Sequence, residues 1–262
     1  MSLFADINPL YSLSGFVIGA LVGCTGIGGG SLMTPLLVLM FGITPATAVG
    51  TDLLYAAVTK SGGTLMHARN KTIDWRIAAR LASGSVPTAI ATIFALSHLG
   101  KASAATNAWI TTILGFSLLL TALALVWRTL YLHQPARVLS GFSEATTSVL
   151  TILLGAVMGV LVSISSVGAG AIGVTVLLIL YPRLPAVRIV GADIAHAVPL
   201  TLIAGLGHWW LGSIDWGLLV SLLLGSLPGI ALGSYFAARA PERLLSLLLA
   251  ATLVLVGTRL VL

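Results

Sequence analysis

The chain has 262 residues, 58% of them hydrophobic and only 8% charged, with a mean hydropathy of +1.08. Soluble domains carry about 25% charged residues, so a water-soluble globule is excluded, and with it a soluble nucleic-acid-binding domain despite 13 basic residues against 7 acidic ones. Cys24 is the single cysteine and excludes an intrachain disulfide framework, while the basic excess suits the cytoplasmic loops of a membrane protein.

The elements follow in chain order. Met1 to Pro9 contains no Lys or Arg, so the charged start of a signal peptide is missing and insertion without cleavage is expected. Leu10 to Phe41 is apolar but interrupted by Thr25-Gly26-Ile27-Gly28-Gly29-Gly30. Ala46 to His67, Arg76 to Leu99 and Ala108 to Leu132 each have the length and apolarity to cross about 30 Å of hydrocarbon. His133 to Thr147 is the longest polar connection and separates a first unit, residues 1–132, from a second, 148–262. Val149 to Tyr181 is again apolar but broken, at Ser163-Ile164-Ser165-Ser166-Val167-Gly168-Ala169-Gly170. Ala186 to Leu211, Gly217 to Ala237 and Arg243 to Leu262 complete the spans. The arms flanking each break, about 11 to 15 residues, reach only about 16–22 Å. They suit either re-entrant hairpins or pairs of short, tilted spans. The expected fold is an all-α integral membrane protein of two repeats, each with a Gly-rich broken segment plus three transmembrane helices.

The repeats are visible in the residues themselves. Gly15, Gly19, Gly28, Gly30 and Pro45 match Gly155, Gly159, Gly168, Gly170 and Pro185 at one offset. After one residue of slippage, Gly50-Thr51-Asp52 matches Gly191-Ala192-Asp193 and His67 matches His208. Ile73-Asp74-Trp75 matches Ile214-Asp215-Trp216, and Gly84-Ser85-Val86-Pro87 matches Gly225-Ser226-Leu227-Pro228. The loop after His67 holds Arg69, Lys71, Arg76 and Arg80, whereas its counterpart, Trp209 to Trp216, has no Lys or Arg. The positive-inside rule places the first in the cytoplasm and the second outside. Equivalent loops on opposite faces make the repeats inverted, provided each broken segment makes a net return.

Inverted repeats with interrupted helices belong to secondary transporters, whose sites lie near the midplane between the halves. Gly28, Gly29 and Gly30, and Gly168, Ala169 and Gly170, each precede an apolar arm and so stand at a half-helix N-terminus, where unpaired N–H groups favour an anion. Thr25, Ser31, Ser163, Ser165 and Ser166 add hydroxyl donors. The competing reading is close helix packing by small residues. Asp52 and Asp193 lie at matched positions inside spans, where a carboxylate is costly unless paired or functional. Lys60 is eight residues beyond Asp52, about 80° round the helix and about 12 Å along it, too far for a tight pair. His196 stands three residues from Asp193 on one face. Proton coupling by the carboxylates and His196, and anion attraction by Lys60, compete with internal pairing that fixes the helices. His67 and His208 are expected in the headgroup region. Asp74-Trp75 and Asp215-Trp216 read as helix-starting Asp beside interfacial Trp.

The run Gly26-Ile27-Gly28-Gly29-Gly30 followed by Pro35, then Pro45 to Gly50-Thr51, then His67 followed by Ile73-Asp74-Trp75, resembles the TauE/SafE family of sulfite exporters. The resemblance covers nearly the whole chain. It implies transport of small sulfur-containing anions such as sulfite, thiosulfate or organosulfonates, mostly as export, in the bacterial inner membrane. A passive anion channel is the alternative. An intramembrane enzyme has no motif in its favour, since neither G-x-S-x-G nor H-E-x-x-H occurs. No cofactor is expected, because no G-x-x-x-x-G-K-[ST] loop is present. The partners are the anion and the lipid bilayer, with a homodimer as the assembly to consider and no nucleic acid.

Overall fold

The computed structural model describes residues 8–25, 30–98, 104–131, 143–236 and 242–262. Ten helices run through them: α1 Pro9–Thr25, α2 Gly30–Phe41, α3 Pro45–Arg69, α4 Trp75–His98 and α5 Ala104–Tyr131, then α6 Glu144–Ser165, α7 Ala171–Leu180, α8 Ala186–Trp210, α9 Trp216–Phe236 and α10 Glu242–Val261. No strand occurs among the described residues.

Local chemistry sets several helix starts. Pro45 opens α3, where its missing N–H costs no helical bond. Asp74 accepts from the backbone N–H groups of Arg76 and Ile77, and Asp215 from that of Leu218, so both act as the helix-starting residues expected. Trp75, Trp209, Trp210 and Trp216 are exposed beside them, as interfacial anchors would be. Ser143 caps α6 by accepting from the N–H of Thr146 at 3.1 Å.

That cap changes one expectation. The arm before the second break was expected to begin at Val149, but α6 begins at Glu144 and so takes residues 144–147 from the connection. Its 22 residues reach about 33 Å, a full membrane thickness. The 10-residue α7 reaches only about 15 Å. The second broken segment is therefore one spanning helix and one short arm. Among the described residues six helices are long and apolar enough to cross, within α4, α5, α6, α8, α9 and α10. α3 is long enough, with 25 residues, but too polar to count by composition. Protein rather than lipid covers its polar residues Thr51 and Asp52.

The chain directions follow from a few contacts. The Tyr181 hydroxyl, just past α7, bonds Thr151 Oγ1 in the second turn of α6 at 2.8 Å and accepts from Arg80 at 3.4 Å. α7 thus returns to the end where α6 began, and the break lies deep in the bundle. Gly15 and Gly19 press on the backbone of Leu222 and Ser226, while Gly155 and Gly159 press on that of Leu81 and Ser85. Numbers rise together, so α1 runs parallel to α9 and α6 parallel to α4. Gly50 faces His208 and Ser213, whereas Gly191 faces His67 and Thr72, so α3 and α8 cross in opposite directions. These are matched residues making matched contacts with the halves exchanged. Small residues permit such approaches because lipid tails compete for every larger apolar contact. The largest buried cluster joins α3, α4, α6, α7 and α8 through Leu53, Leu81, Met158, Leu177 and Ala197.

Candidate functional site

The second break is built from the end of α6. Ser165 Oγ donates to the Leu161 carbonyl at 2.7 Å and accepts from the Val167 N–H at 3.2 Å, which closes the helix. Ser166 follows in the left-handed conformation at φ +57°, and its N–H bonds the Val162 carbonyl. Gly168 and Gly170 have φ of +113° and +114°, a region closed to ordinary L-residues. Their chain path turns the backbone so that α7 can start at Ala171. The whole turn is enclosed: Ser163 and Val167 are fully buried and Ala169 nearly so. Two helix ends therefore meet inside the bundle, the negative end of α6 at Ser166 and the positive end of α7 at Gly170.

The three serines have different employment. Ser165 is committed to the cap. Ser163 Oγ and Ser166 Oγ are buried with no hydrogen-bond partner among the described residues. In the first break, Gly28 and Gly29 lie outside the described residues, as do the side chains of Thr25 and Ser31. Gly30 opens α2.

Asp52 is fully buried, and Thr34 Oγ1 donates to its Oδ2 at 2.6 Å. Its Oδ1 has no partner among the described residues. Ser166 faces the same carboxylate across the break without completing a hydrogen bond of ordinary geometry. His208 fixes this arrangement. Its Nε2 meets the Ser163 carbonyl at 2.9 Å while its Cβ lies where a side chain on Gly50 would be, 2.9 Å away. Expected among headgroups, His208 is instead 1% exposed, with the end of α6 packed beside it. His67 is half-buried, with Nδ1 on Thr72 Oγ1 at 2.8 Å. The Asp215 N–H adds a bond to Thr51 Oγ1 at 3.1 Å.

Asp193 is 1% exposed and makes no hydrogen bond among the described residues. The repeat explains the difference: Val174 stands where the first half has Thr34. The neighbouring Gly173 leaves room for the Asp193 carboxylate. His196 does not pair with Asp193, since its Nε2 bonds Ser85 Oγ on α4 at 2.8 Å. Lys60 is half-buried and makes no salt bridge among the described residues, but lies in electrostatic reach of Asp193 and Asp52. Thr201 occupies its position in the second half and bonds its own helix at the Ala197 carbonyl. The structure thus brings Asp52 and Ser166 together, holds the Ser163 carbonyl on His208 nearby, and leaves Lys60 farther along α3 and Asp193 on α8, toward the other end of the crossing. Thr34, Ser85 and the inward role of His208 were missed. Comparing Thr34 with Val174 was the signal that could have flagged the first.

No group of three or more His, Cys, Asp or Glu suited to a metal ion occurs among the described residues. Spanning helices interrupted at glycines, with ionisable side chains buried at the interruption, define a multi-pass membrane protein built as a transporter. The chain belongs to the sulfite exporter TauE/SafE family, whose model matches residues 11–260. It is 38% identical to the probable membrane transporter protein YjnA of Bacillus subtilis over 95% of this chain and 98% of that one. Identity to the probable membrane transporter protein YdhB of the same organism is 29%, over 87% and 89%. A probable membrane transporter protein of Xylella fastidiosa is 27% identical over 86% and 83%. No solved structure matches the chain.

Proposed function

We propose that this protein is a secondary transporter of small sulfur-containing anions, such as sulfite, thiosulfate or organosulfonates, acting as an exporter in the bacterial inner membrane and catalysing no covalent chemistry. The observation that carries the reading is the buried turn at Gly168–Gly170, which aims the N-terminus of α7 into the bundle. Backbone N–H groups and the positive dipole end can hold an anion there without a full compensating charge. The matched run at Gly28–Gly30 would supply the second half of the site. Lys60, half-buried between the repeats, adds long-range attraction.

The proposed membrane topology is inverted. Support comes from the antiparallel crossing of α3 and α8 and from the basic loop at Arg69 to Arg80 against the Trp209 to Trp216 loop without Lys or Arg. Alternating access would then rock one half against the other about the α3–α8 crossing. The test is transport in proteoliposomes across sulfite, thiosulfate, sulfoacetate and sulfate, with and without a pH gradient. Saturable flux of at least one sulfur anion, inhibited by the others, supports the reading. No flux of any of the four, from protein shown to be folded, overturns it.

A further inference from the structure

The break holds a second set of groups that an anion at α7 does not use. Ser163 and Ser166 belong to the end of α6, and the C-terminal end of a helix presents partial negative charge. What faces Ser166 is the Asp52 carboxylate. Asp52 Oδ1, Ser163 Oγ and Ser166 Oγ are each buried without hydrogen-bond partners among the described residues. An unpartnered buried polar group is costly, and a carboxylate more so. Two of them at one helix C-terminal end, with the Asp52 carboxylate facing Ser166 and in no salt bridge among the described residues, form an environment suited to a hard cation.

We infer that Asp52, Ser163 and Ser166, with carbonyl groups at the end of α6, form a binding site for a monovalent alkali cation. The ligand chemistry is all oxygen. One carboxylate balances one positive charge, whereas a divalent ion held by a single carboxylate would leave an excess charge buried in the bilayer. Carbonyls freed where a membrane helix unwinds are suited to such ions. The geometry is held from outside the site. His208 fixes the Ser163 carbonyl, Thr34 fixes the second Asp52 oxygen, and Ser165 closes the helix so that Ser166 takes its left-handed conformation. The second half cannot repeat this arrangement in the same form, because Val174 removes the donor that would orient Asp193. The cation site and the proposed anion site then lie on the two sides of one turn, Ser166 to Gly170. Occupancy of the first would lower the cost of placing an anion at the second.

The inference rests on the transporter reading for its purpose, but cation binding is measured without any transported anion, so the two can fail separately. Purified protein in detergent is held at constant pH and constant chloride while choline is replaced by sodium or by potassium, and its melting temperature is followed. The expected result is a saturable rise of several degrees with at least one of the two ions. Asp52→Asn and Ser166→Ala should each raise the concentration for half-maximal effect at least tenfold. Ser166→Ala keeps the buried charge, so it remains informative if Asp52→Asn does not fold. Melting temperatures that are equal in choline, sodium and potassium at every pH would mean that Asp52 takes only protons, and would overturn the inference. A saturable rise with an unchanged half-maximal concentration in both variants would also overturn it.

Discussion

Gly168→Ala separates the geometry of the break from simple packing. The added Cβ would lie 3.5 Å from Ile172 Cδ1, an ordinary van der Waals contact, so no overlap opposes it. The cost is conformational, because φ at this position is +113°. Holding an L-residue there costs about 1–3 kcal/mol. For a chain of this size each kcal/mol moves the melting temperature by about 2–4 °C, which gives a fall of about 2–12 °C. If the backbone relaxes instead, the N–H groups before α7 turn away from the ligand. Losing one hydrogen bond to a charged group costs about 1.5–3 kcal/mol, or about 10–150-fold in affinity. Gly62→Ala is the control: nothing lies within 4 Å of its Cβ and its φ is ordinary, so it should match or slightly exceed wild type in stability. Thermal unfolding and calorimetric titration with thiosulfate read both quantities. Wild-type melting together with wild-type affinity in Gly168→Ala would refute the claim that this turn makes the site.

Other outcomes are expected from separate parts of the structure. Single cysteines at the exposed positions Asn70 and Gly212, in a Cys24→Ser background, should react with impermeant reagent from opposite faces, and reaction from one face would contradict the inverted topology. His208→Ala should destabilise by about 1–3 kcal/mol by stranding the buried Ser163 carbonyl, with partial recovery in His208→Gln, and an unchanged melting temperature would count against the strut. Asp193 faces Lys60 and lies in reach of Arg128, with His196 one turn away and bonded to Ser85. If this group takes up a proton during turnover, Asp193→Asn or His196→Ala should flatten the pH dependence of proteoliposome flux more than it weakens anion binding at fixed pH. Wild-type pH profiles in both variants would remove these residues from coupling.

The sequence carries the fold where single residues have backbone consequences. Pro45 and Asp74 mark helix starts, and their matches Pro185 and Asp215 repeat the pattern. The matched glycines announce where helices touch, and the structure uses them there: Gly50 against His208, Gly191 against His67. The start of α6 was less legible, because Ser143-Glu144 reads equally as a polar loop and as a cap with an acidic first turn. The site is harder still. Helical spacing says that His196 and Asp193 share a face, but not which neighbour each one meets, and the ring goes to Ser85, 111 residues away. The Thr34–Asp52 bond crosses between two helices, and the His208–Ser163 contact exists only because α6 ends beside the start of α3. Such contacts depend on the return of each broken segment, which periodicity alone does not encode.

The central claim, a carrier that binds an anion between its halves, is tested most directly by counterflow. Proteoliposomes loaded with millimolar unlabelled sulfite or thiosulfate are diluted into buffer containing a trace of the same anion labelled with sulfur-35, with the membrane potential clamped. A carrier that alternates its site between the two faces accumulates label above its equilibrium level before declining, and Gly168→Ala should reduce that overshoot. Equilibration of label without overshoot for any sulfur anion, from protein that still conducts it, would contradict the account and identify a passive anion channel.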